Sequence, residues 1–132
     1  MRKIKTLPLP VEAAEPEESW RVIDIPVWKS QTFIYVGPFD RFLDRLKNDA
    51  GWTDAKIKEI KEETDKVEDG DGHAYTVWSG GATAIWSPYK MEPEVLVHEL
   101  YHAVVALMRS RMVEDDEAFA YTLEYLWKEA TK

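Results

Sequence analysis

The residues best suited to chemistry stand together at His98-Glu99-Leu100-Tyr101-His102. An H-E-x-x-H run on a helix sets two imidazoles at i and i+4, on one face and one turn apart, near enough to grip a single ion. The glutamate between them then reaches a water that the ion activates. A shuffled chain of this composition contains the run in under about 1% of cases. Two of the three histidines of the chain are in it. The alternative is a hydrogen-bonded polar pair within a core helix, where leaving both rings and the carboxylate unpaired would carry a heavy desolvation penalty. The flanks, Val95-Leu96-Val97 before and Ala103 to Leu107 after, are uncharged. They lead us to expect a partly dry site, where a divalent cation polarises water and carbonyl more effectively.

The elements that must position this quintet can be read from periodicity and turn chemistry. From Trp20, residues Ile23, Ile25 and Val27 fall on one side of a period-2 alternation, and after Trp28-Lys29-Ser30-Gln31 the run TFIYV supplies β-branched and aromatic residues, which predicts a hairpin. Gly37-Pro38 ends that strand and opens a helix with Phe39, Phe42, Leu43 and Leu46 at i, i+3, i+4 and i+7. A second, mostly charged helix follows, with Thr53 as N-cap and Trp52 spaced to staple onto Ile57. HAYTVW and ATAIW flank Ser79-Gly80-Gly81, a second hairpin. Pro88 stops that strand, and Glu92-Pro93-Glu94 starts the helix that carries the quintet. Asp115-Asp116-Glu117 opens a last helix with Phe119, Leu123, Leu126 and Trp127 as its apolar stripe. The order β-β-α-α-β-β-α-α predicts an α+β fold on an antiparallel or mixed sheet of about four strands.

His98, Glu99 and His102, with the segment DDEAFAYTLEYLW after them, resemble the zincin metallopeptidases and, within these, the gluzincins, in which a Glu on the following helix completes the metal site. The D-E-A-x-A-Y-like run also makes residues 82–128 similar to small HExxH proteins encoded by phages and prophages. The resemblance implies one Zn²⁺ held by His98, His102 and Glu117, Glu99 as general base, a peptide or protein substrate, and hydrolysis of the peptide bond. Thermolysin-like gluzincins place an Asp four residues after the ligand Glu, where this chain has Tyr121. A simple antiparallel return of the last helix would bring Glu124 level with His102, which makes Glu124 the reserve ligand. Tyr121, Tyr89 and His73 are candidate donors to an oxyanion or to substrate. The strand ATAIW stands where zincins keep an edge strand that pairs with extended substrate, although an interior strand fits it equally. A non-catalytic metal-binding protein with a regulatory or phage-assembly role is the alternative function.

Composition narrows the remaining classes. The chain has 132 residues, 45% apolar, enough for one core. Residues 1–18, with three prolines and four Glu, are expected to form a flexible acidic arm, and 19–132 a single domain, which the resemblance makes a zincin-like metallopeptidase domain. A net charge of −8 opposes nucleic-acid binding. With no cysteine, thiolate metal sites and disulfides are excluded. MRKIKTLPLP lacks the apolar stretch of a secretion signal, and no run of 18 apolar residues occurs, so a cytoplasmic protein with no membrane partner is expected. Gly70-Asp71-Gly72 does not fit a dinucleotide loop, VEDGDG does not meet EF-hand spacing, and neither a P-loop nor a G-x-S-x-G elbow is present.

Overall fold

A computed structural model describes residues 18–66 and 74–132. The expected arm, apart from Glu18, and His73 lie outside the described residues. Eight regular elements follow one another as the sequence predicts: β1 (Ser19–Ile25), β2 (Ser30–Val36), α1 (Phe39–Asn48), α2 (Asp54–Lys66), β3 (Tyr75–Ser79), β4 (Ala82–Ser87), α3 (Pro93–Ser110) and α4 (Asp116–Ala130). A 3-10 turn, Pro26–Trp28, joins β1 to β2. Val27 therefore leaves the alternation begun by Ile23 and Ile25 and stands exposed: Pro26, with no N–H to offer the ladder, ends β1 first.

The strands form one mixed sheet in the order β1-β2-β4-β3. The pairs β1–β2 and β3–β4 are antiparallel hairpins, and β2 runs parallel to β4 with Thr32 opposite Thr83 and Ile34 opposite Ile85. ATAIW is thus an interior strand, and the edge beside it is β3. β2 and β4 read as almost unbroken apolar runs because both faces of the sheet are covered. Phe33, Tyr35, Ala84 and Trp86 point to α1 and α2, where Phe42, Leu43, Leu46, Trp52 and Ile60 close one core. Ile23, Ile25, Ile34 and Ile85 point to α3 and α4, where Leu100, Val104, Leu107 and Leu126 close the other. Between the sheet and these helices the buried Thr32 and Thr83 satisfy each other through their hydroxyls at 2.8 Å.

Local signals place the elements that matter for the site. Ser79 pairs with Ala82, leaving Gly80-Gly81 as a two-residue turn, and Gly80 takes φ +61°, where a Cβ would be strained. Thr53 Oγ1 accepts from Lys56 N at 3.1 Å, capping α2, and Trp52 and Ile57 join the same core. Pro93 opens α3 after Glu92. The Asp115 carboxylate accepts from the N–H groups of Glu117 and Ala118 at 2.8 and 3.2 Å, capping α4. Arg111 donates to the carbonyl of Trp28 at 2.6 Å, tying the end of α3 to the β1–β2 turn. Among the described residues no helix is long and apolar enough to cross a membrane.

Candidate functional site

α3 lies over β3 and β4, and α4 lies beside it towards β1. The helix buries Glu99, Leu100, Ala103, Val104, Leu107 and Met108, so its spacing alternates between i+1 and i+3 and keeps one flank on the sheet. His98 and His102 come up on the adjoining flank, beside β3, and are exposed. Their rings stand edge to face at 85°, and the two Nε2 atoms converge to 3.1 Å. Two bonds of about 2.0–2.1 Å to one shared ion can span that separation. It is also a hydrogen-bond distance between the two ring nitrogens. The expected partly dry surroundings are not found among the described residues: both rings are exposed, at the open rim of the space between α3 and β3.

Glu99, next to them round the helix, sits deeper in the angle between α3 and β3 and is only 7% exposed. Thr76 Oγ1 donates to its Oε1 at 2.5 Å and lies 3.2 Å from its backbone carbonyl. One threonine of the edge strand therefore fixes both the carboxylate and the helix that bears it. The strand alternation does this: Tyr75 and Val77 face the α1–α2 side, leaving Thr76 and Trp78 to face α3. Between β3 and α3 runs a groove of about 770 Å³, with His98, Glu99 and His102 along it and Trp78, Val105 and Arg109 among its other walls.

The other candidates are not brought to this groove. On α4, Phe119, Leu123 and Leu126 pack inward, so Glu117, Tyr121 and Glu124, at i, i+4 and i+7, form the outward stripe, and all three are exposed. Tyr101 stands on the flank of α3 facing α4, its ring 6.0 Å from that of His102 and 5.2 Å from that of Phe119. Glu117, expected as third ligand, does not join the two histidines, nor does the reserve, Glu124. Among the described residues no group of three His, Asp or Glu is placed to hold a metal ion. Tyr121 is 73% exposed on the outward stripe, and Tyr89 is exposed in the turn before α3; neither lines the groove.

Sequence reasoning passed over Thr76, Trp78 and Arg109. A signal for Arg109 existed, since it follows His98 and His102 at i+11 and i+7 on one helical stripe. Thr76 and Trp78 could be found only once β3 was known to be the edge. No family model, no curated protein and no solved structure matches the chain, so the reading of the site rests on its own residues and geometry.

Proposed function

We propose that the chain is a small zinc-dependent metallopeptidase of zincin type. The observation that carries this reading is the convergence of the two Nε2 atoms to 3.1 Å at the rim of a groove whose inner wall holds the Glu99 carboxylate. His98 and His102 would hold one Zn²⁺, and their donor set suits that ion. Bound zinc supplies a Lewis acid that polarises water and the peptide carbonyl.

The remaining steps belong to the chain. Glu99 takes the proton of the attacking water and passes it to the leaving amine. Thr76 positions that carboxylate through Oε1, which leaves Oε2 to receive the proton. β3 is an edge strand among the described residues, and its backbone N–H and C=O groups from Thr76 onward would pair with an extended peptide, holding it along α3 without demanding particular side chains. Glu117, the third ligand that the resemblance implies, stands on the outward stripe of α4, so the proposal rests on the histidine pair and Glu99.

That same placement favours a second reading. A catalytic zinc site uses three protein ligands, and the described residues bring together two. A metal-binding protein that cleaves nothing, with a regulatory or phage-assembly role, fits a two-imidazole site. Hydrolysis of a panel of unfolded proteins and quenched peptides separates the two. The peptidase reading expects zinc-dependent cleavage, with Glu99→Gln retaining zinc and losing at least about 100-fold in rate. Zinc retained with no cleavage in the panel supports the second reading, and full activity in Glu99→Gln removes Glu99 from the mechanism.

A further inference from the structure

The groove between β3 and α3 has a far end that the hydrolytic chemistry does not use. His98, His102, Val105, Ala106 and Arg109 line the groove as one stripe of α3, and Arg109 stands at that end. Arg109 lies seven positions beyond His102, about 10.5 Å along the axis at 1.5 Å per residue. The opposite wall runs the same way. Thr76 is bonded to Glu99 near the start of that stretch, and Gly81, just after β3, approaches the guanidinium of Arg111 at its end. An extended peptide on the edge of β3 rises about 3.3 Å per residue, so roughly three residues separate the histidines from Arg109.

Arg109 is the single cationic side chain among the described lining residues, in a chain of net charge −8. The other described arginines are occupied. Arg21 donates to carbonyls at the end of α4, Arg41 and Arg45 meet Glu18, and Arg111 holds the Trp28 carbonyl. Arg109 makes no ion pair among the described residues. Among the described residues its planar fork of donors is thus left open to a carboxylate, which it would bind through two parallel bonds. Between it and the histidines the walls are apolar, with Val105 and Ala106 on one side and Trp78 on the other.

We propose that Arg109 makes the far end of the groove a carboxylate-binding subsite. The peptide accepted carries a carboxylate about three residues from the bond held at His98 and His102, with an apolar residue between. An acidic side chain and a chain terminus present the same group, and both fit. This specificity rests on the peptidase reading of the groove, but its test is a binding measurement that needs no catalysis.

The probes are fluorescein-labelled alanine–leucine hexapeptides with Glu, Gln or Lys at each position in turn, each made with a free and an amidated C-terminus. Their affinities for the full chain are read by fluorescence anisotropy. The subsite predicts about tenfold tighter binding of one Glu peptide than of its Gln twin, or of one free acid than of its amide. The first outcome assigns an acidic side chain and the second a C-terminus. Arg109→Gln abolishes the difference without weakening the uncharged peptides, Arg109→Lys keeps part of it, and raising the salt narrows it. Equal binding of all twins, no binding of any peptide, or equal weakening of all of them by Arg109→Gln overturns the subsite. Hydrolysis, followed separately, keeps the two ideas apart. Discrimination without zinc-dependent cleavage leaves the subsite and removes the peptidase, and cleavage without discrimination does the reverse.

Discussion

Replacing Glu99 by Met separates a carboxylate kept for chemistry from one kept for the fold. The side chain is 7% exposed and its one strong partner is the Thr76 hydroxyl at 2.5 Å. Removing the carboxylate forfeits a hydrogen bond to a charged group, about 1.5–3 kcal/mol. It also relieves the desolvation of a buried charge, which amounts to several kcal/mol at full burial and less here, where the groove admits water. Met adds a few apolar contacts beside Leu100 and Ala103. The Thr76 hydroxyl is not stranded, because the Glu99 backbone carbonyl lies 3.2 Å from it. The terms nearly cancel, and Glu99→Met is expected to change the unfolding free energy by about 0 to +1 kcal/mol. That corresponds to a rise of at most roughly 5 °C in Tm. Urea unfolding in the presence of a chelator, followed by tryptophan fluorescence, measures it without metal linkage. A loss above about 2 kcal/mol at unchanged m-value would instead make Glu99 a structural link between α3 and β3.

Other perturbations test separate parts of the account. Glu117→Ala, on the outward stripe of α4, should leave zinc affinity within about threefold, and a drop beyond tenfold in a competitive zinc titration would bring α4 into the site. Gly80→Ala should cost about 1 kcal/mol in urea unfolding: the position has φ +61° and open space around it, so the cost is backbone strain alone, and an unchanged midpoint would contradict the turn. Burial first, and the hydrogen bond it donates to Glu18 second, raise the Tyr35 phenol well above its ordinary 10.0. Above pH 10 the unfolded chain releases a proton that the folded protein keeps, so this contribution to stability is full below pH 10 and is lost as the pH rises beyond it. Tyr35→Phe should flatten the fall in stability measured from pH 9 to 11.5, and an unchanged slope would contradict it.

Local signals carried most of the fold. Gly80-Gly81 between two alternating runs, Pro93 after Glu92, and the i, i+3, i+4, i+7 spacing of Phe39, Phe42, Leu43 and Leu46 each specify an element through contacts a few residues apart, and each element is found. Strand order was not legible. β2 and β4 pair in parallel across some fifty residues, so nothing in ATAIW itself says that both of its edges are taken and that β3 is the free one. The placement of Glu117 was legible in principle. Phe119, Leu123 and Leu126 were read as the buried stripe of the last helix, and Glu117 and Glu124 fall on its opposite side at 100° per residue. The analogy with gluzincins and the helical period pointed to different faces, and the structure follows the period. The exposure of His98 and His102 has a related cause, for uncharged neighbours on a helix show which flank is buried only when the extent of the sheet beneath is known.

Zinc stoichiometry of the purified chain decides whether His98 and His102 share one ion. Wild-type protein equilibrated with zinc and passed through a desalting column should retain one equivalent by elemental analysis, while His98→Ala and His102→Ala, folded by circular dichroism, should each retain little or none. Wild-type protein that keeps no zinc, or single-histidine variants that keep as much as wild type, would contradict the account.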